Sequence, residues 1–258
     1  MLPSPRVFDL FAVPEHPVPV DGGRGHSVRA GDLVLSPGRD EATAQWLNPV
    51  LARLSADLDH QEPRSVRVAM PIPTRDLRWV VDGWGASRFE PDARPCRDLD
   101  VLRATARLLH AHLASAVPEP PAALAARDDR WRRAEQATFG EDPPLGILGP
   151  DLADEWVRTP DLGPGQLVHA DLAGNVLLDA TGLPVVIDVA PSWRPVLWAE
   201  AVLVLDAVLW QGADPAVLRE WSAGDRRQAM LRAALFRVLS DPEPDPARYR
   251  AGLDVTPG

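Results

Sequence analysis

The chain has 258 residues, of which 45% are hydrophobic, and it carries a formal net charge of −10. Its 27 basic residues are all arginine, against 37 acidic residues, a balance that argues against nucleic-acid binding, which needs a dense positive surface. No apolar run reaches the roughly 20 residues that cross a bilayer, because Asp206 interrupts the longest one, at 201–210. We therefore expect a cytoplasmic protein with no nucleic-acid or membrane partner, and the single cysteine, Cys96, is consistent with a reducing compartment.

The first third of the sequence predicts a small β-rich lobe. Residues 1–20 are rich in proline and predict no regular structure, and a glycine-rich turn follows at 21–25. Short strands alternate with turns, and we predict them at 26–30, 33–36, 65–70 and 78–82. Between them a helix is predicted from about Asp40, with Pro49 kinking or dividing it. Gly83-Trp84-Gly85 is expected to form a hinge.

The remainder of the chain predicts a larger helical lobe that contains one β-hairpin. Asp98 is expected to cap a helix whose apolar stripe runs from Leu99 to Leu113. Further helices are predicted up to about Phe139, after Pro195, over 216–221 and over 225–239, followed by a loose tail from Pro242. Alternating βαβ units are absent, which argues against a Rossmann-type sheet and favours the α+β class.

The hairpin concentrates the polar groups that phosphoryl transfer requires. Residues 167–178 read LVHADLAGNVLL, and after the turn at Gly182 a second apolar strand leads to Asp188. A carboxylate such as Asp171 can accept the proton of a hydroxyl group. The amide oxygen of Asn175 and the carboxylate of Asp188 are the kind of ligands that Mg²⁺ prefers. The hairpin therefore predicts phosphotransferase chemistry.

This pattern, His169-x-Asp171 followed by Asn175 and Asp188, resembles the catalytic core of the aminoglycoside phosphotransferase and choline kinase-like families. The likeness extends from about Gly22 to Trp210, and the flanking segments resemble an actinobacterial branch of this group. It implies a bilobal protein-kinase-like fold. The small N-terminal lobe, residues 1–85, would cover ATP, and the helical C-terminal lobe, residues 86–258, would contain the catalytic hairpin.

The resemblance also implies a role for each matching residue. Asp171 would act on the acceptor hydroxyl, and His169 would hold the loop by hydrogen bonding. Asn175 and Asp188 would bind Mg²⁺, which bridges the nucleotide phosphates. The residues expected at the nucleotide are Gly22, Gly23, Gly25, Arg29, Ser36, Glu41 and Trp84. Each of the hairpin residues also has a structural explanation, as a turn carboxylate, a turn-capping amide or a strand-end carboxylate without a metal.

Two departures from the family pattern concern the chemistry. Asn175 follows Asp171 by four positions, whereas the kinase signature places it five positions on. The third strand normally carries a lysine at the nucleotide phosphates, and Ser36 stands there instead. If Gly31-Asp32 is a two-residue turn, Ser36 pairs with Ser27, and Arg29 lies on the same face of the sheet as a possible replacement cation. The alternative is that Arg29 is a solvated strand residue.

Two functions therefore remain open at the level of the sequence. The first is an ATP- and Mg²⁺-dependent phosphotransferase that acts on a hydroxyl group of a small molecule through Asp171. The second is a degenerate kinase-like protein that binds a nucleotide or is inert, with a regulatory or scaffolding role. The carboxylates and the amide favour the first, and Ser36 with the shortened loop favours the second. No residue selects a particular substrate or oligomeric state.

Overall fold

The structure is a computed structural model, and it describes residues 2–20 and 26–253. The glycine-rich turn with Gly22, Gly23 and Gly25 lies outside the described residues. Contacts divide the chain into two compact units. The first comprises the chain up to Cys96 together with Gly174–Val189, and the second comprises Arg97–Ala173 and the chain from Ala190 onward. The first unit is rich in strands and the second is mainly helical, which confirms the predicted α+β class.

The secondary structure of the described residues alternates short strands with helices of very different lengths. The strands are β1 (Val18–Pro19), β2 (Val28–Ala30), β3 (Leu33–Ser36), β4 (Arg67–Val68), β5 (Pro71–Ile72), β6 (Gly85–Arg88), β7 (Arg94–Pro95), β8 (Gly165–His169), β9 (Val176–Leu178), β10 (Pro184–Val186) and β11 (Pro191–Pro195). The helices are α1 (Pro5–Phe11), α2 (Glu41–Asp59), α3 (Leu99–Ala116), α4 (Ala122–Ala126), α5 (Arg130–Phe139), α6 (Pro150–Glu155), α7 (Val196–Gln211), α8 (Gly224–Ser240) and α9 (Pro246–Ala251). Short 3₁₀ helices occupy Leu145–Ile147 and Pro215–Trp221.

The first unit contains two sheets. In the five-stranded sheet the order is β1-β2-β3-β6-β5, and in the four-stranded sheet it is β4-β10-β9-β7. The hairpin of β9 and β10 joins the first unit because β10 pairs in parallel with β4, with Val185 opposite Arg67. The sequence assigns this hairpin to the C-terminal lobe. Its pairing with β4 depends on residues more than a hundred positions earlier, which no local pattern reveals.

The predicted hinge at residues 83–85 is wrong, because these residues belong to a turn within the first unit. Val81 and Trp84 form an antiparallel bridge, and the turn residues Asp82 and Gly83 both have positive φ, as a type I′ turn requires. β6 begins immediately afterwards and pairs along its full length with β3. The strand predicted at 78–82 is accordingly displaced to β6, and the first unit continues past the boundary predicted at residue 85.

The prediction of no regular structure in the first twenty residues is also wrong. Pro5 begins α1, where its fixed φ and missing N–H suit the first turn of a helix. Val7, Phe8 and Phe11 of this helix are buried in a core shared with β2, β3 and Trp84. Burial of these side chains stabilises a helix that is too short to be stable alone. Their helical spacing is masked in the sequence by the many prolines around them.

The helix α2 has the capped start that the sequence predicts, and Pro49 does not divide it. The side chain of Asp40 accepts a hydrogen bond from the backbone N–H of Thr43, and the helix continues from Glu41 to Asp59 with Pro49 inside it. The apolar face formed by Leu47, Leu51, Leu54 and Leu58 is buried. Packing of this face therefore offsets the hydrogen bond that proline removes.

The second unit is built around α7 and α8. Both helices are buried along most of their length, and Trp198 lies between Phe139 and Phe236 in edge-to-face contacts. The predicted cap of α3 is confirmed, because the Asp98 side chain accepts from the backbone N–H groups of Asp100 and Val101. The tail from Pro242 differs from the prediction, since it contains α9. None of the helices in the described part of the chain is long and apolar enough to span a membrane.

Candidate active site

One group of candidate residues lies at the turn that follows β8, in the second unit. Strand β8 ends at His169, whose ring nitrogen Nδ1 accepts hydrogen bonds from the backbone N–H groups of Asp171 at 3.1 Å and Ala190 at 3.4 Å. The backbone N–H of His169 in turn donates to Nε2 of His110 at 3.1 Å. Burial and the neighbouring His169 ring lower the pKa of His110 to about 3, so His110 is a neutral acceptor. These contacts support the predicted role of His169 in holding the loop.

The carboxylate of Asp171 contacts a buried arginine that the sequence analysis did not single out. Arg237 of α8 donates through Nη2 to Oδ1 of Asp171 at 2.7 Å, and the Asp171 side chain is 29% exposed. Arg237 also forms an ion pair with Asp206 of α7, and both side chains are only 7% exposed. Asp206 interrupts the apolar run of α7, and Arg237 lies within the apolar stretch LFRVL of α8. A charge inside an apolar stretch is the sequence signal that could have revealed them.

A separate group of candidate residues lies at the open end of the β9–β10 hairpin, in the first unit. The backbone N–H of Ile187 donates to the carbonyl oxygen of Asn175 at 2.9 Å. Because of this pairing, Asn175 and Asp188 lie next to each other in register at the same end of the hairpin. Asn175 is 5% exposed, whereas the Asp188 side chain is 43% exposed. Asp188 has a φ of 49°, a left-handed conformation that aspartate tolerates better than most residues.

The oxygen atoms at this end of the hairpin suit a magnesium ion. Mg²⁺ in phosphate-transfer sites is commonly held by one or two protein oxygens, with nucleotide phosphates and water completing its shell. Asn175 and Asp188 supply an amide oxygen and a carboxylate of this type. Within residues 2–20 and 26–253, no group of three or more His, Cys, Asp and Glu side chains is arranged to hold a metal ion.

The predicted pairing of Ser36 with Ser27 is confirmed, but Arg29 is engaged elsewhere. The two serine hydroxyls lie 2.9 Å apart, in line with the register of β2 and β3. The guanidinium of Arg29 donates through Nε to the carbonyl oxygen of Gly31 at 2.9 Å and stacks over the ring of Phe89 at 4.1 Å. Arg29 therefore supports the turn and the sheet surface, and in this structure it does not replace the missing lysine.

A different arginine, Arg39, provides a positive charge at the hairpin. Its guanidinium forms an ion pair with the carboxylate of Asp188, 149 positions later in the chain. Its backbone N–H donates to the carbonyl oxygen of Gly83 at 2.9 Å. A Cβ atom on Gly85 would come within 3.1 Å of Cγ of Arg39, so the absent side chain leaves room for the arginine stem. No local sequence signal indicates this contact, because it depends on strand pairing.

The two remaining predicted nucleotide residues lie in ordinary structural positions. Trp84 is 3% exposed and belongs to the core of the first unit, so the expectation that it contacts the nucleotide is corrected to core packing. The same core contains Phe8 and Phe11 of α1 and Val81, the bridge partner of Trp84. Glu41 is exposed at the first residue of α2 and forms no ion pair among the described residues. Its negative charge at a helix N terminus is favourable in itself.

Comparisons with known proteins give similarities of fold. No family model matches the sequence, and no curated protein matches it. Among solved structures, the choline kinase LicA from Streptococcus pneumoniae shares 12% identity over 91% of this chain and 85% of its own, with a TM-score of 0.45. A choline/ethanolamine kinase family protein from Mesorhizobium loti shares 18% identity over 95% of this chain and 96% of its own, with a TM-score of 0.43.

An AMP-bound complex of the spectinomycin phosphotransferase APH(9)-Ia is also similar, with 13% identity over 90% of this chain and 83% of its own and a TM-score of 0.48. These solved structures are two choline kinase-like proteins and a spectinomycin phosphotransferase, and their TM-scores to this chain lie between 0.43 and 0.48.

Proposed function

We propose that this chain is an ATP- and Mg²⁺-dependent phosphotransferase that phosphorylates a hydroxyl group of a small molecule. Phosphoryl transfer requires a group that orients or deprotonates the acceptor, oxygen ligands for the metal ion and positive charge at the phosphates. In this proposal Asp171 serves the first purpose, Asn175 and Asp188 the second, and Arg39 the third. The neighbours that act on choline and antibiotics are consistent with a small-molecule substrate.

The observation that carries the proposal is the ion pair between Arg39 and Asp188. The chain has no lysine, so a permanently charged basic side chain at the phosphates has to be an arginine. A guanidinium binds phosphate through paired hydrogen bonds. Arg39 lies three positions beyond Ser36 and brings this group to the end of the hairpin that holds Asn175 and Asp188. A metal–nucleotide complex bound there would meet two oxygen ligands and one cation.

In the proposed reaction each of these residues has a separate role. The acceptor oxygen forms a bond to the γ-phosphorus of ATP while the bond to the β,γ-bridging oxygen breaks and ADP leaves. The proton of the acceptor hydroxyl passes to Asp171, one oxygen of which is held by Arg237. Bound Mg²⁺ would neutralise charge on the phosphates. Arg39 exchanges its contact with Asp188 for contacts with phosphate oxygens.

The alternative of a degenerate, nucleotide-binding protein is favoured by one observation, the position of Ser36. Its hydroxyl is hydrogen-bonded to Ser27 and carries no charge. If Arg39 does not compensate for the lysine, the phosphates lose a charge-assisted contact, which costs about 1.5–3 kcal/mol. Binding of the nucleotide and transfer of its phosphate therefore have to be measured separately.

The test compares Arg39→Ala with Arg29→Ala as a matched control, using calorimetric titration of MgATP and melting temperature. We expect wild-type protein to be stabilised by saturating MgATP, by about 3 kcal/mol at a hundred times the dissociation constant. Arg39→Ala should weaken MgATP binding by about ten- to hundredfold, and Arg29→Ala should bind as wild type does.

Turnover is then measured as ADP release with a panel of amino sugars, choline analogues and nucleosides, in wild type and in Asp171→Asn. Formation of phosphorylated product by wild type but not by Asp171→Asn supports the proposal. MgATP binding without any product would support the degenerate protein instead. No stabilisation by millimolar MgATP would reject both nucleotide-dependent functions.

A further inference from the structure

A buried charged cluster in the second unit includes the candidate base Asp171. Arg237 and Asp206 project from the two central helices, α8 and α7. Nε of Arg237 lies 3.0 Å from Oδ1 of Asp206, and Nη2 contacts the other oxygen of the same carboxylate. Nη2 also donates to Oδ1 of Asp171. One guanidinium is thus shared between a fully buried carboxylate and the carboxylate at the turn.

The surroundings of Arg237 hold its guanidinium in one place. Its central carbon lies 5.6 Å from the ring centroid of Trp131 and 5.5 Å from that of Phe236. The two-point contact with Asp206 sets the plane of the guanidinium. A side chain fixed by aromatic rings and by a bidentate ion pair can orient a third group, which a mobile surface arginine could not do.

Stability alone does not account for this cluster. Removing two charges from water costs several kcal/mol per ion, and a buried pair is often no more stable than apolar residues of similar volume. Next to the pair, α7 and α8 contribute the buried apolar residues Leu205, Ala207 and Phe236, while the other buried polar residues of α8, such as Gln228 and Arg232, bond to one another and to backbone carbonyl groups. The contact of Arg237 with its third partner, the carboxylate of Asp171, gives a functional reason for the charged pair.

We infer that Asp206 and Arg237 form a positioning pair that orients Asp171 and tunes its charge, an inference that rests on the proposed function. Asp206 fixes Arg237, and Arg237 holds one oxygen of Asp171 while the carboxylate remains partly exposed. Because Asp206 competes for the guanidinium, it limits how strongly Arg237 neutralises Asp171. Because both side chains of the pair are only 7% exposed, they act through Asp171.

We predict different effects for substitutions at Asp206 and at Arg237. In the wild type, ionisation of Asp206 near pH 6 adds a negative charge beside Arg237, so kcat should change with pH in this range. Asp206→Asn removes the titrating carboxyl group and should remove this inflection from the kcat–pH profile. Arg237→Lys keeps the charge but loses the planar, two-point geometry, so the orientation of Asp171 is lost. The charged and titratable groups facing this cluster are Asp171, Asp206, Arg237 and the hydroxyl of Tyr249.

The experiment measures kcat, KM for MgATP and melting temperature for Asp206→Asn, Arg237→Lys and a control, Glu90→Gln. Glu90 accepts from Arg67 in a partly buried ion pair, in the first unit. We expect kcat to fall by about ten- to hundredfold in both cluster variants, as misplacement of a reacting group predicts, with KM for MgATP unchanged. Glu90→Gln should keep the wild-type kcat.

Unchanged kcat and pH profile in Asp206→Asn would overturn the inference. An equal loss of kcat in Glu90→Gln would also overturn it, because the effect would then follow general destabilisation. Carbon-13 NMR of the Asp171 carboxyl group separates this failure from that of the proposed function. In wild type the carbon-13 shift of the Asp171 carboxyl group should change near pH 6, as Asp206 ionises, and in Asp206→Asn it should not. This result upholds the positioning pair even if wild-type protein shows no turnover, which rejects only the proposed function.

Discussion

Asp171 and Asp206 both contact the guanidinium of Arg237. The pKa of the more deeply buried one, Asp206, is shifted from its ordinary value. Burial raises the pKa of Asp206 to about 6, although Arg237 opposes this rise. The same two carboxylates raise the pKa of the Arg237 guanidinium, against the effect of its burial, so this arginine remains charged. Between about pH 4 and pH 6 folded protein therefore retains a proton on Asp206 that the unfolded chain loses. Ionisation of Asp206 consequently lowers the free energy of unfolding as the pH rises through 6.

Asp206→Asn should remove this pH dependence. We expect the free energy of unfolding of wild type, relative to that of Asp206→Asn, to decrease as the pH rises from about 4 to about 7. Urea denaturation at a series of pH values measures this difference. The exposed variant Asp225→Asn is the control and should follow the wild type. A difference that stays constant between pH 4 and pH 7 would contradict the prediction.

The pairing of β3 with β6 determines what Arg39 can reach. Ser36 and Gly85 are opposite each other in the two strands, and the stem of Arg39 crosses the face where a side chain at residue 85 would stand. A glycine weakens a strand by itself, because it has no side chain to pack. Here it permits the approach of Arg39 to the hairpin. The glycine therefore lowers the stability of the strand but leaves room for the side chain of Arg39.

Gly85→Ala should disturb this approach. The new Cβ atom would lie 3.1 Å from Cγ of Arg39 and 3.4 Å from the carbonyl oxygen of Trp79, so the arginine stem has to shift. We expect a loss of about 1 kcal/mol in MgATP binding, or about fivefold in affinity, by calorimetric titration. Gly146→Ala is the matched control, because a Cβ atom there meets no neighbour within 4 Å. Equal affinities in the two variants would show that Gly85 has no such role.

At the scale of the whole molecule, the two units differ in what stabilises them. The first unit combines short strands with the apolar faces of α1 and α2. The second unit depends on close packing around α7 and α8, where Trp198 is fully buried and contacts Phe139 at 5.5 Å and Phe236 at 5.1 Å between ring centroids. Aromatic pairs in this geometry add to the free energy gained by burial.

Trp198→Ala should therefore be among the more costly substitutions in the chain. We expect it to lower the free energy of unfolding by about 3–5 kcal/mol, since the cavity cannot be refilled by the rigid helices around it. Trp210→Ala is the control; this residue is 52% exposed and forms a cation–π pair with Arg248, so the loss should stay below about 1 kcal/mol. Urea denaturation compares the two variants, and similar losses would argue against a core role for Trp198.

The elements that the sequence predicts well have strong local signals. β3 lies at Leu33–Ser36 as predicted, because turn residues bound an apolar run, and Asp98 begins α3 because its side chain caps the backbone N–H groups. The Ser27–Ser36 pairing follows from a two-residue turn. The α1 helix and the β6 strand were not predicted, because proline and glycine suppress their local signals while burial and strand pairing stabilise them.

The sequence by itself determined the α+β class, the polar hairpin and the choice of Asp171, Asn175 and Asp188 as candidates, since these depend on residue type and short-range spacing. Only the tertiary structure decided which arginines contact them. Arg39 rather than Arg29 forms an ion pair with Asp188, and Arg237 forms ion pairs with both Asp171 and Asp206. The physical reason is that an ion pair depends on distance in space, and strand pairing and helix packing bring together charges that lie far apart along the chain.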